Sequence, residues 1–296
     1  MLMYISLKNR ALLKVEGPDA KDFLQGLVSQ DMNRVSDTQA VYSAFLSPQG
    51  KFLLDFFCFE LDGALVLDCE EEMAPQFLKR LKMYKLRSDV TLSDISADYQ
   101  VYATLQSAIA FGLKDADRGV AKTLGSGVVF TDPRLRNMGC RAIVKTDDNA
   151  MAASGLTEGT FDDYEQQRLT LGLADGSRDM TVDKALLLEN GFEELDGVSF
   201  SKGCFMGQEL TARTKYRGLV KKRLLPVYIS GDAPPPGSIL TNDDKEVGEM
   251  KSSSDDMGLA LIRLNRFEEG MVLHCGNAKL TPSIPEWMVL QDKSDP

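Results

Sequence analysis

The sequence of 296 residues predicts an α+β fold followed by a small all-β region. Strand-like runs and helix-like periodicity alternate over the first half of the chain, which is typical of mixed α+β units. Beyond about Leu224 the pattern changes to short apolar runs separated by GDAPPPG, NDDK, SSSDD and EEG, which indicates a β-barrel or sandwich. A chain of this length is expected to hold two or three hydrophobic cores, because single cores rarely grow beyond about 250–300 residues.

The first half of the chain contains candidate strands and two candidate helices. Residues 2–16 alternate weakly between apolar and polar and predict a strand. A Gly-Pro-Asp signal and apolar residues at helical spacing then predict an amphipathic helix over 19–29. Residues 41–70 read as an antiparallel meander with a tight Asp-Gly turn at Asp62. Residues 70–86 have glutamates at their N-terminal end and basic residues toward their C-terminal end. This charge distribution complements a helix dipole and predicts a helix.

The second half is predicted to begin with an exposed connection, the polar stretch TDDNAMAASGLTEGTFDD. A helix is predicted from near Phe161 through YEQQRLTLGL. His274, the single histidine, lies in the apolar run MVLHC and is predicted to be a packed strand residue. Trp287 is predicted to lie in the core or at the edge of the C-terminal β region.

Charge is unevenly distributed along the chain. The formal net charge of −10 disfavours general attraction to nucleic acid or to anionic membranes. Between Lys202 and Arg223, however, seven basic residues stand against one acid, Glu209. This basic segment is either a solvated surface or a site for an anionic partner.

Targeting and redox signals predict a cytoplasmic protein with free thiols. The N-terminal residues lack the basic and apolar regions of a secretory signal, and no uncharged apolar run reaches the roughly 18 residues of a membrane span. The five cysteines are odd in number, scattered and without a CxxC pair, which favours a reduced compartment.

The segment SKGCFMGQELTAR, residues 201–213, carries the strongest chemical signal. It places Cys204 between Gly203 and Gly207, which can adopt positive φ or allow close approach of a ligand. Lys202 adds a positive charge next to the sulfur and favours the thiolate, which attacks electrophiles and binds soft metals. The segment therefore predicts a reactive cysteine rather than a buried one.

The other four cysteines are predicted to be structural. Cys58 lies in the apolar run LLDFFCF, and free cysteine is among the most often buried residue types. Cys69, Cys140 and Cys275 lack polar surroundings bracketed by glycines.

The run GVSFSKGCFMGQELTARTKYRG, with the upstream YEQQRLTLGL, resembles the signature of the YgfZ family, folate-binding assembly factors for iron–sulfur proteins. The segments KVEGPDAKDFLQGLVSQDMNRV and AVYSAFLSPQGKFLLD resemble the opening of that family and of its relative, the aminomethyltransferase (T-protein) of the glycine cleavage system. The similarity touches most of the chain and is weakest in 95–155 and in the last seventy residues.

The resemblance implies an aminomethyltransferase-like ring of three domains around a channel that receives tetrahydrofolate. The implied domains are a discontinuous folate-binding domain of residues 1–45 and 158–223, a ferredoxin-like domain of residues 46–157, and a C-terminal β-barrel of residues 224–296.

The resemblance also implies a function. The protein is expected to bind tetrahydrofolate and to help assemble or repair iron–sulfur clusters in client enzymes; a narrower version of this hypothesis includes tRNA-modifying enzymes among the clients. Cys204 is the expected reactive group, with Lys202 as its activator. A lone cysteine cannot hold a cluster, which normally needs four protein ligands, so any cluster is shared with a partner protein. The expected folate contacts are Asp55, Arg168, Gly203, Phe205, Gly207, Gln208, Glu209, Arg213 and Lys215, with Arg213 and Lys215 meeting the glutamate tail.

Two alternatives remain open. The first is a folate-dependent aminomethyltransferase of the T-protein type, but that protein has an aspartate in place of Cys204, paired aspartates where this chain has Leu54 and Asp55, and a glutamate in place of Thr170. Because aminomethyl transfer needs a placed acid–base group, little such activity is expected. The second is a non-catalytic module in which folate stabilises a docking surface. Neither a resident metal nor a nucleic-acid contact is expected.

Overall fold

The computed structural model describes residues 2–105 and 108–290 and divides into two compact units. The first unit contains residues up to Pro48 together with Leu53–Tyr164 and Asp196–Met206. The second contains Gln49–Phe52, Glu165–Leu195 and the chain from Gly207 onward. Both units are discontinuous in sequence. The three predicted domains stay a prediction, and the last of them, 224–296, extends past the described residues.

The first unit is built on two sheets. In chain order its strands are β1 (Met3–Ser6), β2 (Arg10–Glu16), β3 (Val41–Leu46), β4 (Phe52–Leu61), β5 (Ala64–Glu70), β6 (Thr91–Asp94), β7 (Tyr99–Leu105), β8 (Ala121–Leu124), β9 (Gly127–Thr131), β10 (Cys140–Lys145) and β11 (Thr157–Glu158). One sheet has the order β3-β4-β5-β2-β6, and the other has the order β11-β1-β7-β10-β9-β8. Residues 2–16 therefore form two strands in different sheets, where the sequence predicted one.

The predicted meander is present as β3, β4 and β5. Asp62 and Gly63 form the tight turn between β4 and β5, with φ of 52° and 76°. An aspartate tolerates this left-handed backbone better than most residues that carry a side chain, which explains the Asp-Gly pair. β3 and β5 are buried along their whole length, so both faces of the sheet are covered in this region.

Helices of the first unit begin near their predicted positions. The helix predicted over 19–29 is α1 (Ala20–Gln25), which ends at Gly26. The segment predicted over 70–86 contains a short 3₁₀ turn, Glu71–Met73, followed by α2 (Ala74–Tyr84). The ring centres of Phe77 on α2 and Phe45 on β3 lie 5.3 Å apart, and this contact packs the helix against the sheet.

The second unit combines short helices with a closed barrel. Its helices are α3 (Phe161–Thr170), of which the part from Glu165 lies in this unit, α4 (Gly176–Asp179) and α5 (Gln208–Tyr216). Its strands are β12 (Lys222–Ser230), β13 (Ile239–Asn242), β14 (Lys245–Ser254), β15 (Met257–Arg263), β16 (Leu273–Cys275) and β17 (Ala278–Pro282). They close in the order β12-β15-β14-β13-β16-β17, which confirms the predicted β-barrel. Across residues 2–105 and 108–290, no helix combines the length and apolar character that crossing a bilayer requires.

The barrel interior is aliphatic, and two predictions about its residues have different outcomes. Leu225, Ile262 and Leu280 are fully buried in it. Trp287 packs partly buried against this core and donates from Nε1 to the Leu171 carbonyl at 2.7 Å, in agreement with the prediction. The prediction that His274 is packed is wrong. Alternation along β16 places its neighbour Leu273 inside the barrel and leaves His274 exposed.

Candidate functional site

The KGCF segment, residues 202–205, is an irregular loop that presents Cys204 at the surface of the first unit. Gly203 has φ of 100°, a conformation that residues with side chains rarely adopt, and a Cβ added there would meet open space. Gly207 has φ of 80° and is the residue before α5. The backbone at both positions explains why the sequence has glycine there.

Hydrogen bonds anchor the loop on both sides of the cysteine. The Lys202 ammonium donates to the carbonyl oxygens of Val28 and Gln30, at 2.7 Å each. The amide of Met206 donates to the Gly26 carbonyl at 3.0 Å. All of these partners lie in the short segment after α1. The cysteine therefore sits at the exposed top of a loop whose two ends are fixed to one stretch of backbone.

Lys202 is half-buried, and both its burial and the nearby Phe205 ring affect its ammonium group. Burial lowers the pKa of Lys202 from its usual 10.5 to about 8. The ammonium also lies 5.2 Å from the centre of the Phe205 ring, which is itself buried. Its observed partners are thus two carbonyls and an aromatic face. The expectation that Lys202 promotes the thiolate of Cys204 stays a prediction.

The five cysteines differ sharply in accessibility. Cys58, Cys69 and Cys140 are buried, as predicted, and Cys275 is half-buried. Burial raises the pKa of Cys69 and of Cys140 to about 12 and that of Cys58 further still, so these thiols stay protonated. Cys204 is exposed, as predicted. It is the most exposed of the five thiols.

Asp55 lies on β4 in a buried polar cluster of the first unit. It is 4% exposed and accepts a hydrogen bond of 2.7 Å from the Tyr42 hydroxyl. Burial, followed by the charge of Asp55, raises the pKa of Tyr42 well above its ordinary value, so the phenol remains the donor. The Arg134 guanidinium lies 5.5 Å from the centre of the Tyr42 ring and pairs with Asp132 at 2.8 Å. A cofactor contact at Asp55 stays a prediction.

Arg168 lies on α3 and is completely enclosed in the second unit. Its Nε and Nη2 donate to the two carboxylate oxygens of Glu165, at 2.7 Å each. Its Nη1 donates to Asp179 at 2.8 Å and to the Leu173 carbonyl at 3.1 Å. Burial opposes the charge, but Asp179 and Glu165 outweigh it and raise the pKa of Arg168. All three guanidinium nitrogens are therefore bonded within the protein, and a folate contact at Arg168 stays a prediction.

The second half of the motif forms α5 in the second unit. Gln208 begins this helix, and Glu209 is exposed in its first turn, where the helix dipole favours a carboxylate. Arg213 is exposed, whereas Lys215 forms an ion pair with Glu193. A ligand tail would find Arg213 accessible and would compete with Glu193 for Lys215.

A second buried ionic cluster of the first unit was not predicted. Asp68 pairs at 2.7 Å with both Arg10 and Arg141, which are separated from it by 58 and 73 residues. The Arg141 guanidinium lies 4.1 Å from the centre of the Phe57 ring. No local motif connects residues so far apart in sequence. Within the described residues, no group of three or more His, Cys, Asp or Glu side chains is placed to hold a metal ion.

Comparison with known structures shows the fold. The chain is similar to the glycine cleavage system aminomethyltransferase T from Bartonella henselae, with a TM-score of 0.79 and 15% identity over 96% of this chain and 86% of that one. This confirms the predicted aminomethyltransferase-like fold. Residues 221–290 match the family model of the CAF17 C-terminal beta-barrel domain.

Comparison with known sequences points to a narrower group. The mitochondrial iron-sulfur cluster assembly factor IBA57 of Mus musculus is 32% identical, and that of Homo sapiens is 31% identical; each match covers 95% of this chain and 84% of the relative. The aminomethyltransferase alternative is less well supported, because the T-protein resemblance is one of fold. The prediction of a cytoplasmic protein is contradicted, because these relatives are mitochondrial.

The resemblance to the YgfZ family is confirmed in part: the relatives are iron–sulfur cluster assembly factors and the fold is that of the T-protein, but membership of YgfZ itself is not confirmed. The chain belongs to the IBA57 family of iron–sulfur cluster assembly factors.

Proposed function

We propose that this protein is an accessory factor in the assembly or repair of iron–sulfur clusters, that it acts through the Cys204 thiol, and that it binds a reduced folate. The family membership supports the first part. The observation that carries the second is the exposure of Cys204 on an anchored loop, while Cys58, Cys69 and Cys140 are buried.

The geometry limits what Cys204 does with a cluster. A thiolate is a soft ligand suited to iron and to sulfur transfer. One cysteine provides a single ligand, whereas iron–sulfur clusters normally have four. The cluster is therefore cargo that Cys204 shares with an assembly or client protein, and the fixed loop holds the sulfur where a partner reaches it.

Two of the predicted folate contacts, Asp55 and Arg213, have side chains that suit a reduced folate. The buried carboxylate of Asp55, oriented by Tyr42, is an acceptor of the kind that the N–H groups of a pteridine require. Arg213 is exposed and suits a glutamate tail, because guanidinium binds carboxylate in bidentate fashion. Bound folate would supply a pteridine ring and an acidic tail; Asp55 in the first unit and Arg213 in the second are proposed separately as their contacts, and each is tested by itself.

Replacement of the thiol tests the cluster function. In cells that lack the endogenous protein, Cys204→Ser is expected to lower the activity of iron–sulfur client enzymes to the level of the empty vector. Cys275→Ser is the matched control, because Cys275 is half-buried on a barrel strand, and it is expected to keep full activity. Full client activity with Cys204→Ser, at normal protein level and melting temperature, would exclude the thiol mechanism and favour the docking module.

Calorimetric titration with tetrahydrofolate tests the ligand. Asp55→Asn and the double variant Arg213→Ala, Lys215→Ala are each expected to weaken binding by roughly tenfold or more, since hydrogen bonds to charged groups contribute about 1.5–3 kcal/mol. A thermal scan of each variant controls for folding. Unchanged affinity in both variants would remove these residues from the site, and an absence of binding by the wild-type protein would remove folate from the proposal.

A further inference from the structure

The second unit contains a cavity of about 260 Å³ beside the C-terminal end of α5. Its apolar wall consists of Leu188, Val220, Leu264, Val289 and Leu290. Val289 is 71% exposed and Leu188 is 3% exposed, so the cavity has an open rim and a closed bottom. Every lining residue belongs to the second unit, so the cavity is independent of the thiol chemistry proposed for Cys204.

Arg223 supplies a buried donor to the cavity lining. The residue is 5% exposed. Its Nη1 donates to the Leu188 carbonyl at 3.1 Å and its Nη2 to Glu194 at 2.5 Å. Its Nε is buried and has no hydrogen-bond partner in the parts of the chain that the structure describes. A buried donor without a partner costs about 1–3 kcal/mol, so an acceptor atom placed there would be favoured.

The charge around the cavity favours an anion over a cation. Within the lining, Lys215 pairs with Glu193 and Arg223 pairs with Glu194, so these charges balance. Along the chain, Arg213, Arg217 and Lys221 add positive charges against the single acid Glu209, whereas the charge of Lys222 acts on Glu189 and Glu246. In a protein of net charge −10 this is a local concentration of cations that attracts an anionic ligand.

We propose that this cavity binds a small amphipathic carboxylate, whose apolar body contacts the aliphatic wall and whose carboxylate meets Arg223. The volume lies just below the range of about 300–1,000 Å³ that is usual for sites of drug-sized ligands, which limits the occupant to a small molecule or to one end of a larger one. Two sources supply this chemistry. One is a free aliphatic or aromatic acid, and the other is the benzoylglutamate tail of a folate.

Heteronuclear NMR titration of the full chain with octanoate tests the proposal. Octanoate is expected to shift the amide signals of the cavity residues and to bind at least about tenfold more tightly than 1-octanol, which lacks the charge. Competition with p-aminobenzoylglutamate separates the sources. Displacement of octanoate supports the site as one for a folate tail, and retention of octanoate supports it as one for a free acid.

Three variants keep the test independent of folding. Val289→Asp places a carboxylate at the exposed rim and is expected to weaken octanoate binding by about tenfold through charge repulsion. Ile239→Asp is the matched control, because Ile239 is 48% exposed on β13 of the same unit and does not line the cavity. Arg223→Met, if folded, is expected to abolish the preference for octanoate over octanol. Equal octanoate affinity in the Val289→Asp and Ile239→Asp variants, equal affinity of the wild type for octanol and octanoate, or no shifts at the cavity residues would each overturn the proposal.

Discussion

The Cys204 loop and the Arg168 network both contain a cation that the sequence motif assigned to the functional site, and the structure gives the two cations opposite surroundings. Lys202 is half-buried and bonds two carbonyl oxygens, so its charge fixes the shape of a loop that exposes a neighbour. Arg168 is fully buried and bonds two carboxylates and a carbonyl, so its charge is neutralised inside the fold. The partners of each cation, rather than its place in a motif, therefore define its role.

Removal of the more enclosed cation is expected to have the largest effect. Arg168→Met leaves Glu165 and Asp179 buried without their shared partner, so we expect a loss of about 3–5 kcal/mol in the free energy of unfolding. Urea denaturation measures it. Arg178→Met is the control, because Arg178 also pairs with Glu165 but is 38% exposed, and it is expected to cost about 1 kcal/mol or less. Equal losses in the two variants would contradict the distinction between enclosed and exposed cations.

Removal of the loop cation is expected to have a smaller effect that is confined to one region. Lys202→Met leaves the carbonyls of Val28 and Gln30 without their donor, for a loss of about 1–3 kcal/mol. Hydrogen exchange is expected to rise in the Cys204 loop. Lys21→Met is the matched control, because Lys21 donates to a single carbonyl, that of Val35, at 2.8 Å. Unchanged exchange in the loop would show that Lys202 does not anchor it.

The conformation of the loop allows a still smaller test. Gly203→Ala is expected to cost about 1 kcal/mol, because its φ of 100° strains a side chain while the space around it is open. Gly139 has a similar φ of 95°, but a Cβ added there would lie 1.9 Å from the Thr104 carbonyl oxygen. Gly139→Ala should therefore lower the free energy of unfolding clearly more than Gly203→Ala does. Comparable melting temperatures for the two variants would show that steric contact does not separate these glycines.

The smallest expected effect is the pH dependence that Lys202 contributes. Its pKa is about 8 in the folded protein and 10.5 in the unfolded chain, so the unfolded chain holds more protons between these values. Stability should therefore rise with pH across this window. The two carbonyl acceptors favour the charged form and the side chain is partly exposed, so the rise should stay below about 1 kcal/mol. It is measured as the difference between wild type and Lys202→Met, and a fall across the window would contradict the sign.

Local signals in the sequence predicted the elements well. Apolar spacing predicted α1 and α3, the charge polarity of residues 70–86 predicted α2, and the turn-rich segments after Leu224 predicted a β-barrel or sandwich, which the structure shows to be a closed barrel. The accessibility of Cys204 followed from its glycines and polar neighbours. These features depend on residues that are close in sequence, so a single chain is enough to recognise them.

Features that depend on tertiary placement could not be predicted in this way. The pairing of Asp68 with Arg10 and Arg141 joins strands from two sheets. The enclosure of Arg168 depends on Asp179, which lies beyond the end of α3. His274 was predicted to be packed because its neighbours are apolar, but the alternation along β16 points Leu273 into the barrel and leaves His274 exposed.

Closure of the barrel also restricts how other proteins can join this one. Every strand from β12 to β17 already has a hydrogen-bonding neighbour on each side. An extended segment of another chain therefore finds no open edge there for β-augmentation. Among the strands that the structure describes, β6 is a sheet-end strand with exposed residues where backbone pairing is possible, whereas β3 is buried and its outer edge is bonded to the segment around Ser29.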